Sequence, residues 1–162
     1  MRSLPVFLTA VLALGAASLI ELSAQPAHAG LGATAASVEA DRMSMKGQMR
    51  TRSAAGYSVQ EITAATGTVV REFVSSSGVV FAVSWYGPSM PDLQQTLGSY
   101  FTQFQASVQA RRAQQPGPRG HNHLEIRTPS LVVRSFGHMR QYFGMAYVPA
   151  LMPASVSLSD LH

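Results

Sequence analysis

Five histidines, eight acids and no cysteine are the stock from which any reaction in this 162-residue chain must be built. The missing cysteines exclude disulfides, thiolate metal sites and a thiol nucleophile together. His121 and His123 stand at i and i+2 on an incoming strand, so their side chains point the same way. A metal site would still need a third ligand, and His138 or Glu125 would have to converge on the pair. The sequence holds no G-x-S-x-G elbow, phosphate loop or dinucleotide fingerprint. Only seven acids follow residue 29, Glu39 and Asp41 close together among them, which is thin material for a paired-carboxylate site. No catalytic residue, bound metal or cofactor is therefore expected. The alternative is a small hydrolase or metal-dependent enzyme using His138 or the His121/His123 pair. Met43, Met45 and Met49 have the thioether chemistry that suits Cu(I), but at helical spacing they read as gap-fillers of a core-facing helix.

Charge points to binding rather than reaction. From Gly30 to Ala110 acids and bases balance; beyond, Arg111, Arg112, Arg119, Arg127, Arg134 and Arg140 face only Glu125 and Asp160, which accounts for the net charge of +4. The arginine fork suits carboxylate and phosphate better than a lysine point charge does. Arg111, Arg112 and Arg119 are the candidate ligand-binding residues of this half, for an acidic polysaccharide, phosphorylated lipid headgroups or an envelope protein; the plain alternative is scattered solvated charge. Trp85-Tyr86 would suit a sugar face, but alternation puts the two rings on opposite sides of a strand, and Trp85 is expected in the core.

The elements that must position these residues are α+β in class: an antiparallel sheet of two three-strand meanders, one long amphipathic helix and one weaker N-terminal helix. Residues 1–29 have the form of a cleaved secretory signal, with Arg2, an apolar run from Val6 to Ile20 and an Ala27-His28-Ala29 ending. That run is too short to span a bilayer, and no transmembrane segment is expected after it. The product would be periplasmic or extracellular and would begin at Gly30, in a compartment where nucleic acid is not an expected partner. Residues 30–56 read as a weak helix, capped at Ser37, followed by a linker from Arg50 to Gly56. Residues 57–162 read as one α+β domain.

Within that domain, strands are expected at Tyr57–Thr63, Thr68–Val74 and Val79–Tyr86, joined by four-residue turns ending in Gly67 and Gly78. Val79, Phe81, Val83 and Trp85 alternate onto one face. In the middle strand Arg71 and Glu72 point to opposite faces, so one charge must lie among core side chains. A helix capped by Ser89 carries a stripe of Leu93, Leu97, Tyr100, Phe101, Phe104 and Val108 to about Ala113. A loop around Pro116 to Gly120, expected to be mobile, precedes strands at His123–Arg127, Leu131–Phe136 and Arg140–Val148.

Several blocks occur in order: Gly67-Thr-Val-Val-Arg-Glu-Phe-Val74, Val80 to Pro88, Met90-Pro-Asp-Leu93, Leu97 to Phe101, Leu131 to Ser135 with Gly137-His-Met139, and Met152 to Val156 with Ser159-Asp-Leu161. Together they resemble the exported bacterial proteins known as domain of unknown function twenty-eight forty-four. The resemblance covers Gly56 to the C-terminus and implies a Gram-negative envelope protein. It brings no catalytic residue, ligand or cofactor, and the 50–56 and 116–123 segments lie outside its pattern. Because its blocks include Gly137-His138-Met139, His138 is the better single histidine candidate for ligand binding. With no carboxylate near it in sequence, its plain reading is a turn residue.

Overall fold

The computed structural model describes residues 30–114 and 123–161. The elements are α1 (Val38–Ser44), β1 (Gln48–Ala54), β2 (Tyr57–Thr63), β3 (Val69–Ser75), β4 (Val80–Gly87), α2 (Leu93–Leu97), α3 (Phe101–Gln114), β5 (His123–Arg127), β6 (Val132–His138) and β7 (Gln141–Tyr147). The strands form one seven-stranded antiparallel sheet in the order β1-β2-β3-β4-β7-β6-β5. The class is α+β, as expected, but the expected pair of three-strand meanders is not what forms. A fourth strand joins the first set, because Gln48–Ala54, expected in part as a linker, pairs along its whole length with β2. Arg50 and Arg52 keep this exposed edge strand polar, which discourages pairing with other chains.

The inner face of the sheet carries the helices. Ile62, Val70, Val83, Trp85, Ile126, Val133 and Ala146 pack there against Leu31, Val38, Leu97 and Phe104. The helical stripe thus lies where its periodicity places it. The helix itself is interrupted: Gly98 takes φ 51°, which glycine adopts at little cost, and a 3-10 turn links α2 to α3. Asp92, not Ser89, caps the start by accepting from the Gln94 amide at 2.8 Å, while the Ser89 carbonyl accepts from Thr68 Oγ1. Likewise Ser37 caps nothing; its hydroxyl bonds the Thr34 carbonyl. The segment before α1 belongs to the core, since Leu31 is buried and Gly32 and Ala33 exchange backbone bonds with Val80.

The outer face has a second, smaller cluster: Phe73, Phe81, Ala82, Val132 and Tyr147 beneath Val156 and Leu161 of the C-terminal segment. Phe81 was expected beside Val83 and Trp85. A β-bulge overturns that alternation: Val74 pairs with Val80 and Phe73 with Ala82, leaving Phe81 as the extra residue. Its ring turns to the outer face against Tyr57 and Phe73. The polar-looking tail is therefore a cover, and its last turn is held by a capping box in which the Ser157 amide donates to Asp160 at 2.8 Å.

Candidate functional site

The register of six strands writes two rows of side chains across the part of the outer face that the tail leaves open. The first row reads Glu61, Arg71, Ser84, Met145, Arg134, Glu125, each residue directly opposite the next. Beside it runs Val69, Tyr86, Phe143, Phe136, His123, again in register. Arg71, Ser84, Met145, Arg134 and Glu125 of the first row and Tyr86, Phe143 and Phe136 of the second line an open trough of about 630 Å³, to which Leu161 also contributes. That volume suits a small amphiphile.

The charged row is nearly a palindrome. Arg71 Nε donates to Glu61 at 2.8 Å, and Arg52 from β1 stands 3.7 Å from the same carboxylate. At the other end Arg134 Nε donates to Glu125 at 3.2 Å, and Arg127 reaches the same oxygen at 3.0 Å. Hydrogen bonds from Arg127 first and Arg134 second hold the Glu125 carboxyl below its ordinary pKa, against a smaller opposing effect of burial. Each end therefore has two guanidiniums to one carboxylate and an excess positive charge. Between them Ser84 is 6% exposed, and its Oγ has no partner among the described residues. A buried hydroxyl left without a partner costs free energy.

The second row supplies apolar surface. Tyr86 is 57% exposed and Phe143 48%, an unusual pair of large rings to leave in water. Phe136 and Phe143 lie parallel, with centroids 5.1 Å apart, so much of their faces is spent on each other and their edges point outward. That geometry favours an aliphatic segment lying along the strip over a sugar stacked on ring faces.

The sequence candidates fall in different places. Alternation along β6 puts the exposed His138 on the trough face, one step beyond Phe136. The hairpin turn is Met139-Arg140, both at positive φ, rather than Gly137-His138. Arg111 is tied to the β5 backbone through a bond to the Glu125 carbonyl, and Arg112 is exposed on the last turn of α3. Arg119 and His121 lie outside the described residues, as do the expected signal segment and most of the 114–122 loop. His123 packs on Phe136 at 4.4 Å and stands 3.9 Å from Glu125. Among the described residues no three His, Cys, Asp or Glu side chains are grouped as a metal would require. Trp85 is 2% exposed on the inner face, where it sits so close over Gly144 that a Cβ there would fall 2.4 Å from its ring.

Sequence reasoning missed Glu61, Arg71, Arg134, Phe136 and Phe143 as members of one site. The two hairpin registers that bring Glu61 to Arg71 and Glu125 to Arg134 are local and were open to reading. The β4–β7 pairing that joins the halves has no local signal.

Glu72 faces inward, which settles the Arg71/Glu72 question. It is fully buried opposite Asp41 of α1, and burial first, then the hydrogen bond to and charge of Asp41, push its pKa up to about 9. Gln95 Nε2 donates to Asp41 Oδ1 at 2.5 Å. This carboxyl pair joins α1, α2 and β3 beneath the sheet, on the side away from the trough.

No described helix is long and apolar enough to cross a membrane. No curated protein and no solved structure matches the chain. A family model, however, matches residues 27–161, beginning upstream of the expected Gly56 and spanning both segments expected to lie outside the family pattern. The chain thus belongs to the family described as Protein of unknown function (DUF2844).

Proposed function

We propose that this chain is an exported envelope protein that binds without catalysis, holding an amphipathic anion in the trough on the outer sheet face. The observation that carries the reading is the juxtaposition of an exposed aromatic strip with an arginine row in excess over its carboxylates. His138 belongs to this reading as a rim residue, whereas Arg111 and Arg112, on α3, do not. Ring edges and paired guanidiniums favour an acid carried on an aliphatic body over an acidic glycan.

The test is calorimetric titration with dodecanoate. Binding should weaken as salt rises and be lost in the Tyr86→Ser/Phe143→Ser double variant, with dodecanol, which lacks the charge, binding much less. Absence of binding at low salt, or binding indifferent to the double variant, overturns the reading. Export rests on the Ala27-His28-Ala29 ending and predicts that protein recovered outside the cytoplasm has the mass of residues 30–162. Retention of residues 1–29 on that protein would refute cleavage.

A further inference from the structure

We propose that the occupant of the trough is a two-headed acid, an amphiphile with acidic groups at both ends of an aliphatic segment, each end seated on one pole of the charged row. This rests on the binding role proposed above and specifies its ligand. Three observations carry it.

The first is the duplication of charge. The Arg52–Glu61–Arg71 and Arg127–Glu125–Arg134 groups each carry two guanidiniums on one carboxylate, so a single acid leaves one pole uncompensated. The two inner arginines each meet their glutamate through Nε. Their terminal nitrogens donate to none of the described residues. The glutamates hold the forks while leaving the paired N–H edge that a carboxylate or phosphate accepts in bidentate fashion.

The second observation is spacing. Arg71 and Arg134 lie on β3 and β6 with β4 and β7 between them, and three strand intervals of about 4.8 Å separate the poles by about 14 Å. The floor between them is Ser84 and Met145, with the Tyr86, Phe143 and Phe136 strip alongside. An aliphatic chain of about that length bridges the poles over apolar surface. The third observation is Ser84: its Oγ, next to Arg71 in the row, is buried without a partner among the described residues, and once the side chains over it part it donates to the acid seated on that pole. A second copy of this chain is a poorer occupant. The palindromic row sets arginine over arginine and glutamate over glutamate whenever two such faces meet with their rows aligned.

The experiment compares dodecanedioate with dodecanoate, the same chain with an acid at one end only, by calorimetry on the protein spanning residues 30–162. The diacid should bind about tenfold tighter or better, which is the differential a second charge-assisted pair supplies. Hexanedioate, too short to bridge, should lose that advantage. Arg71→Gln and Arg134→Gln should each reduce diacid affinity to the level of the monoacid, while the monoacid, free to use the other pole, changes little. Should either variant fail to fold, Arg71→Lys or Arg134→Lys reads the same pole, since it keeps the charge and loses the fork. Equal affinity for the two acids, or sensitivity to only one of the two arginines, overturns the two-headed ligand and leaves the binding role standing. Binding of neither acid overturns both.

Discussion

Phe81→Ala is expected to lower the unfolding free energy by about 3–5 kcal/mol, the usual cost of emptying a buried phenylalanine site. Phe81 is wholly inaccessible to solvent and sits at the bulge of β4, its ring edge-on to Tyr57 and 6.2 Å from Phe73. The alanine leaves a cavity between the sheet and the C-terminal segment. The bulge that turns Phe81 outward has its backbone held by the Val148 amide, which donates to the Phe81 carbonyl, so collapse into the space is resisted. Urea unfolding of the two proteins checks this through the shift in midpoint at constant slope. An unchanged midpoint would show that the ring is not buried. Because the second cluster includes Val156 and Leu161, the variant should also loosen the tail, visible as earlier hydrogen exchange in residues 151–161 than elsewhere.

The second large effect is on the pH dependence of stability. Burial pushes the pKa of Glu72 up to about 9 in the folded chain, whereas its ordinary value is 4.5. The folded state therefore holds a proton that the unfolded state has released, and stability is fully present below about pH 4.5 and declines as pH rises toward 9. The raised pKa corresponds to a loss on the order of several kcal/mol across that window. Glu72→Gln should abolish most of this slope. It keeps a donor toward Asp41 and cannot ionise, so the variant should be slightly less stable than the parent at pH 5 and more stable at pH 8.5. Denaturant midpoints at these two values decide it: curves that run parallel would mean that Glu72 is not the group lost. Asp41→Asn is the companion: it removes the smaller contribution of the neighbouring carboxyl and leaves the larger one of burial, so it should narrow the window without abolishing it.

What the sequence determined by itself is the set of local elements. Turn and loop signals bounded Tyr57–Thr63 and His123–Arg127 to the residue, because strands flanked by Gly turns or a Pro/Gly loop carry their limits in short-range composition. Helical spacing placed Leu97 and Phe104 in the core, and the ordered blocks marked the family. Even the presence of a charge in the core followed from Arg71 and Glu72 being neighbours on a strand. What the tertiary structure alone decided concerns choices whose energies come from distant residues. Glu72 rather than Arg71 turns inward, where it can be buried as a neutral acid beside Asp41, thirty-one positions earlier, while Arg71 keeps its charge against Glu61 on the outer face. Phe81 leaves its alternation because a bulge opposite Phe73 and Val74 is stabilised by a tail that packs over it from residues 151–161. The trough depends on β4 pairing with β7, an encounter between segments more than fifty residues apart for which the chain carries no local periodicity, only two hydrophobic strands that bury each other's edges.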